Sequence, residues 1–291
     1  MAATEPPVSG AASEPPVNGA PALEVAGLAK TFPSDAGTVE AVRCVDLVAG
    51  TGRLVSLIGP SGCGKSTVLN VVAGLEQPTA GEVRLGGRAL PDRLGACAYM
   101  PQHDALLPWR RVVDNVTLPL VLGGASAAAA RRQVAPMLER FGLGDFAGAW
   151  PWQLSGGMRQ RAAFLRTVAS APAVALLDEP FGALDGLTRA DLQQWLSEVR
   201  DELATTVVLV THDVPEAVYL SDTVVVLSSR PAEVAAVLEI GLPRPRGPEI
   251  RETAEFADLE GRLRQLLRES ARLEEELSEE KWLPGRSDGR R

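Results

Sequence analysis

Lysine is nearly missing from this chain. Of 29 basic residues only Lys30, Lys65 and Lys281 are lysine, leaving 26 arginines. The skew reads as codon bias of a GC-rich genome, in which surface lysines drift to arginine and a surviving lysine is one whose compact ammonium is chemically required. Cysteine is almost as scarce. Cys44, Cys63 and Cys97 are odd in number and widely spaced, a poor disulfide framework and no zinc-ligand pattern, so a reducing cytoplasm is the expected compartment. Excess positive charge is lacking: the formal net charge of −8 argues against a nucleic-acid partner, which usually meets a basic face. No stretch of about 18 residues is apolar and uncharged throughout, so no transmembrane helix is expected. Met1 to Pro21 has neither a basic start nor an apolar run, so no secretory signal is expected. Any membrane role should come through a partner. What is present is ample: 291 residues, 45% hydrophobic, enough to bury a sizeable core.

Texture divides the chain. Residues 1–22 are rich in Pro, Ala, Glu and Ser and carry an imperfect repeat, Glu5 to Gly10 and Glu14 to Gly19. Such a composition buries too little to fold, and a disordered tail is expected. From Leu23 short β-like runs alternate with glycines. Leu54 to Ile58 reads as an apolar strand, a glycine-rich loop follows, and Ser66 to Ala73 reads as a helix. Glu82 to Leu85 with Gly86-Gly87 reads as a strand and hairpin turn. Asp114 to Ala169 is helical in pattern, alanine-rich from Ala127 to Met137. Strand-like Val174–Leu177 and Val207–Val210 then alternate with helical Leu187–Leu203 and Val214–Leu220. This rhythm predicts an α/β fold with a buried, mainly parallel sheet, into which a helical subdomain (about 103–170) is inserted. After Arg246, about 45 residues remain, too few for a typical independent domain. There, Phe256, Leu259, Leu263, Leu266, Leu273 and Leu277 recur at helical spacing from Thr253 to Glu280. They predict an amphipathic helix packed on its own domain, with helix pairing as the alternative. Residues after Leu283 are expected to fray.

The strongest motif is Gly59-Pro60-Ser61-Gly62-Cys63-Gly64-Lys65-Ser66-Thr67, between the strand and the helix. It fits G-x-x-x-x-G-K-[ST], a P-loop. Glycines let the backbone curl so that N–H groups converge on phosphate oxygens, and the helix start adds its positive dipole end. Lys65 can reach the β- and γ-phosphates, and the Ser66 hydroxyl can ligate Mg²⁺. Cys63 reads as a small packing residue, with thiol regulation the alternative. The glycine order does not fit a dinucleotide fold. In the second half, Val174 to Asp178 is a buried strand ending in Asp178-Glu179-Pro180. Asp178 is placed to hold Mg²⁺ through its water, and Glu179 to orient and deprotonate an attacking water. Two acids there might otherwise cap the next helix.

Leu154-Ser155-Gly156-Gly157-Met158-Arg159-Gln160-Arg161 resembles the signature of ATP-binding cassette (ABC) ATPases, and it follows the helical block and precedes the acidic strand as in that family. The resemblance covers about Leu23 to Arg246. It implies the P-loop NTPase fold with an antiparallel β subdomain. It also implies that Phe32 stacks on adenine, that Gln102 touches Mg²⁺ and faces a permease, that Ala183-Leu184-Asp185 is the D-loop and that His212 senses the γ-phosphate. Ser155, Gly156 and Gly157 would then meet ATP held by the other subunit of a homodimer, with ATP and Mg²⁺ as the cofactors. Two departures matter: Met158 stands where glutamine is commoner, and Phe32 where tyrosine is commoner. His103, the only other histidine, is read as a loop residue without a catalytic part.

Among cassette proteins, three classes compete. DNA-maintenance members carry long coiled-coil insertions, for which the 53-residue separation of Gln102 and Ser155 leaves no room. Translation-type members carry two cassettes, and here there is one phosphate loop. A transporter subunit is left, with a separate integral-membrane permease and, through it, an extracytoplasmic solute-binding protein; the chain itself would sit peripherally at the cytoplasmic face of the membrane. Gln102 to Trp109 with Val113 to Val116 resembles the nitrate/sulfonate/taurine importer branch, as do Ser229-Arg230-Pro231 and Leu242 to Pro245. Tyr99 to Asp104 with Ala162 to Thr167 leans toward its thiamine-pyrimidine-precursor group. Leu106, Leu107 and Trp109 are expected to form an exposed apolar docking patch, or else to pack locally.

Overall fold

In the computed structural model the described residues are 19–35, 37–90, 92–182, 184–203 and 205–282, with backbone alone at 199–203 and 272–282. Most of the expected N-terminal tail, Ala183 of the expected D-loop, the Leu273 and Leu277 side chains and the stretch from Leu283 therefore lie outside the described residues.

The strands are β1 (Leu23–Ser34), β2 (Gly37–Ala49), β3 (Leu54–Ile58), β4 (Ala80–Leu85), β5 (Arg88–Ala89), β6 (Ala98–Met100), β7 (Val174–Asp178), β8 (Thr206–Thr211), β9 (Thr223–Leu227) and β10 (Ala232–Glu239). They form one sheet in the order β5-β4-β1-β2-β10-β9-β3-β8-β7-β6. From β9 to β6 every pair is parallel. β5, β4, β1 and β2 pair antiparallel, and β10 joins the two sets, parallel to β2 and antiparallel to β9. β3, β7 and β8 are buried at every position, as their unbroken apolar runs require of strands covered on both faces. β1 and β2 are longer than the short runs expected there, and β9 and β10 extend the β/α rhythm past the helix expected at Val214–Leu220. The run Thr223-Val224-Val225-Val226-Leu227 carries the periodicity of such a buried strand.

The helices are α1 (Lys65–Val72), α2 (Val112–Val116), α3 (Leu118–Leu122), α4 (Ala127–Arg140), α5 (Gly156–Val168), α6 (Gly186–Leu203), α7 (Val214–Leu220) and α8 (Ala254–Trp282). α2 to α5 all fall between β6 and β7 in the chain. Their attachment to the sheet runs through aromatic edges. Trp195 of α6 meets Phe141 at 3.8 Å between ring centroids and Phe164 of α5 at 5.0 Å, both steeply inclined, the arrangement that ring quadrupoles favour. Of the two expectations for Leu106, Leu107 and Trp109, exposed patch or local packing, Leu106 follows the second. It is buried in this core, because the Asn115 side chain accepts from Leu107 N–H at 2.7 Å and donates back to Leu107 O at 3.1 Å, turning the loop inward. Trp109 alone of the three is well exposed, at 70%.

α8 packs on α7 with Phe256, Leu259 and Leu263 buried, so the described part of this amphipathic helix covers its own domain. The chain reaches it through a buried arginine. Arg246 Nη1 donates to the carbonyls of Val218 (3.2 Å), Tyr219 (2.9 Å) and Ser221 (2.7 Å), and Nη2 to those of Ile240 and Leu242 (both 3.4 Å). A cation at the C-terminal end of α7 satisfies carbonyls that the helix itself leaves over and opposes the dipole there. Replacing it strands several buried acceptors at once. Arg246→Met should lower the free energy of unfolding by about 3 kcal/mol, read from urea denaturation; a loss below about 1 kcal/mol would mean that water or the backbone replaces the guanidinium readily.

Candidate active site

Four loops leave the same edge of the sheet. The glycine-rich loop follows β3, His212 follows β8, Glu179 follows β7 and Gln102 follows β6, and these four strands are consecutive neighbours. Parallel register sets their heights: Ile58 pairs with Thr211, Asp178 with Val210, and Met100 with Leu177.

Within Gly59 to Thr67 the backbone needs glycine at two places for different reasons. Gly64 has φ of 122°, and a Cβ there would lie 2.8 Å from Ala41 O. Gly59 has no room either, since its Cβ would lie 2.8 Å from Leu227 O and 3.2 Å from Cys63 Sγ. Cys63 is buried against the core, as a packing residue should be. Lys65, buried, donates from Nζ to Gly59 O at 2.9 Å and Pro60 O at 2.8 Å, so its ammonium is held across the mouth of the loop. Pro60, Ser61, Gly62 and Ser66 are at least partly open to solvent, and Thr67 lies half-buried one residue along α1.

The carboxylates divide the remaining work. Asp178 is buried; burial pushes its carboxyl above the usual range, against the Ser66 hydroxyl and Lys65, which pull it down. Its Oδ1 is buried without a hydrogen-bond partner. A buried, unsatisfied carboxylate oxygen beside a serine hydroxyl fits a hard cation that takes oxygen ligands. Among the described residues no group of three or more His, Cys, Asp or Glu could hold a metal by itself. Glu179 adopts φ of 46°, a left-handed backbone that costs a non-glycine residue roughly 1 kcal/mol. Its N–H bonds Val210 O at 3.0 Å, while its Oε2 accepts from Gln102 Nε2 at 3.2 Å and lies 3.3 Å from His212 Nδ1. Both neighbours meet the same oxygen, so the other carboxylate oxygen takes no part in holding the loops together.

The remaining candidates stand apart from this cluster. Ser155 caps its own helix, its Oγ accepting from Met158 N at 3.3 Å. Gly156 is exposed, and Gly157 is packed so closely that a Cβ would lie 2.9 Å from Thr188 Cγ2. Asp185 accepts from Thr188 N (3.0 Å) and Oγ1 (2.7 Å), capping α6; these bonds hold its carboxyl below the usual range. Signature and D-loop thus meet at one threonine. Phe32 lies on β1 with Lys30 Nζ 4.7 Å from its ring centroid. Among the described residues, none of Phe32, Ser155 and Asp185 makes a hydrogen bond or ion pair to the Glu179 cluster.

A family model described as ABC transporter matches residues 42–182. The chain is 45% identical over 248 residues to an aliphatic sulfonates import ATP-binding protein of Rhodopseudomonas palustris, covering 85% of this chain and 84% of that one. It belongs to the ABC transporter ATP-binding proteins. A nitrate import ATP-binding protein of Synechococcus elongatus is 43% identical over 81% of this chain and 36% of its own length. A solved dimeric structure of an ATP-binding cassette in a post-hydrolysis state, bound to ADP and Pi, superposes with a TM-score of 0.68 at 32% identity, over 77% of this chain and 99% of that one.

Several cassette residues escaped the motif reading. Tyr99 donates to Asn70 Oδ1 at 3.0 Å; burial first, and the Asp178 carboxylate second, push its phenol up to about 12. Gln160, buried in the signature helix, donates to Pro180 O at 2.6 Å, next to Glu179. Glu216 is the one charged residue in the otherwise apolar α7, a signal the sequence did contain. Burial pushes its carboxyl up to about 7, with Asp213 adding to the rise and Thr211, Gln193 and Arg189 opposing it.

An unfolded glutamate titrates near about 4.3, so the folded cassette holds this proton more tightly. The stabilisation is full below the unfolded value and is lost as pH rises through about 7. Glu216→Gln should therefore gain stability relative to the parent chain between about pH 5.5 and about pH 8, read from denaturant midpoints at both. A difference independent of pH would place the titration elsewhere.

Proposed function

We propose that this cassette is the ATP-hydrolysing subunit of a membrane importer for a small polar solute, working as a homodimer beneath separate permease subunits at the cytoplasmic face. The observation that carries the reading is the meeting of Gln102 and His212 on one oxygen of Glu179, beside Asp178 and the phosphate loop. In this reading Lys65 and the amides of Gly59 to Thr67 cradle the phosphates. Ser66, Asp178 and Gln102 hold Mg²⁺, whose charge offsets that of the phosphates when bound. Glu179 takes the proton of the attacking water, and His212 steadies the γ-phosphate. Phe32 stacks on adenine. Ser155, Gly156 and Gly157 of one copy, with Asp185, complete the site of the other, in keeping with their separation from the Glu179 cluster of their own chain. That the solved relative is a dimer supports that division.

Importer function rests on the relatives, one named for aliphatic sulfonates and one for nitrate. We read the cargo class as small polar solutes of the nitrate, sulfonate, taurine or pyrimidine type, delivered by a solute-binding protein. No helix among the described residues is long and apolar enough to cross a membrane, so a permease must supply the path, and exposed Trp109 is its proposed point of contact.

Glu179→Gln should cut Mg²⁺-dependent ATP turnover by about 10³-fold while ATP still binds and an ATP-dependent dimer accumulates. Undiminished steady-state hydrolysis would refute the general-base role. Ser155→Arg should leave nucleotide binding by each monomer intact, by titration calorimetry, and abolish hydrolysis; a variant that dimerises and hydrolyses normally would refute action across the interface.

A further inference from the structure

The residue pair flanking His212 is tied to the C-terminal segment by a chain of buried polar contacts. Thr211 Oγ1 accepts from Asp213 N at 3.0 Å. Asp213 caps α7 by accepting from Glu216 N at 2.9 Å. The imidazole thus hangs from a short turn closed by Thr211 and Asp213 and fixed, through Asp213, to the first turn of α7 at Glu216. Glu216 is in turn gripped from α6: Gln193 Nε2 donates to its Oε2 at 2.9 Å, both side chains being buried. The amide of Gln193 is oriented from the other side, where Arg251 Nη2 donates to Oε1 at 2.7 Å. Arg251 is itself fixed by stacking on the Tyr219 ring, 4.1 Å to its centroid. Also from α6, Arg189 adds an ion pair to Asp213 at 3.7 Å and donates to Leu184 O at 3.1 Å.

Buried amides that bridge a carboxylate and a guanidinium have one orientation only, because reversing Gln193 would set donor against donor and acceptor against acceptor. The chain therefore transmits position and not merely volume. All of it from Leu184 onward lies beyond the stretch that the family model matches. We propose that Glu216, oriented through Gln193 by Arg251 of the C-terminal segment, is a positioning residue for His212. The inference rests on the hydrolytic role of His212 given above. It assigns the segment after Arg246 a part in setting the switch loop.

The chain contains two histidines, so imidazole NMR of the labelled full-length protein yields one signal set for His212 and an internal reference from exposed His103. Arg251→Met and Glu216→Gln should each shift the His212 titration and leave that of His103 unmoved. In parallel, kcat should fall about tenfold with KM for ATP unchanged, less than the roughly 10²-fold that a 1 Å misplacement can cost. Arg251→Lys should recover most of both. The proposal is overturned if His212 titrates as in the parent chain and kcat stays within about twofold. It is also overturned if both histidines shift together with loss of cooperative unfolding, which marks general loosening. An inert parent chain would count instead against the hydrolytic reading, and the His212 signals would still decide whether these contacts position the ring.

Discussion

Everything at the candidate site depends on the register of four parallel strands. Neighbouring strands lie about 4.8 Å apart, so β3, β8, β7 and β6 bring their ends within roughly 15 Å of one another. Ile58, Thr211, Asp178 and Met100 finish at nearly the same height. A slip of one residue in any strand would turn its side chains to the opposite face and withdraw its loop. The fully buried, apolar faces of β3, β7 and β8 make such a slip expensive. Hydrophobic patterning thus sets the separation of groups that share no sequence proximity, and Glu179 can reach both Gln102 and His212.

The second half of the site obeys a different geometry. Ser155, Gly157 and Asp185 are organised around the start of α5, the start of α6 and Thr188, not around the strand ends. Gln160 nevertheless ties the signature helix back to Pro180, the residue after Glu179. Arg159 adds a second tie, from Nε to Asp104 at 2.9 Å, two residues past Gln102. One helix therefore carries the signature at its N-terminus and touches both the loop that bears Glu179 and the loop that bears Gln102.

What was legible in the chain was whatever lies in consecutive residues. Gly59 to Thr67 and Asp178-Glu179 could be read from backbone chemistry, because each function needs neighbouring atoms. Ser155, Phe32 and Asp185 were legible only through resemblance, since their own chain gives them no partner at the Glu179 cluster. Glu216 was missed because its meaning lies in residues 23 and, through Gln193, 58 positions apart along the chain. Leu106 was left between exposure and local packing for a comparable reason: what turns the loop inward is Asn115, which pairs with Leu107 eight residues before it. β9 is written in Thr223 to Leu227, a short, continuous apolar run that periodicity alone does not separate from a buried helix segment.

The topology also has a temporal side. Gly52 N–H, at the foot of β3, bonds Thr206 Oγ1 across 154 residues of chain, and β3 finds both its sheet neighbours only in β8 and β9. At a ribosomal pace of about 5–20 residues per second, roughly 10–30 s separate the emergence of the phosphate loop from that of the strands that hold it in place. Throughout that interval an apolar strand and a glycine-rich loop wait without partners while the helices from Val112 to Val168 are made. The nascent chain is therefore most exposed to misassociation at the element on which nucleotide binding later depends, and this follows from strand order alone.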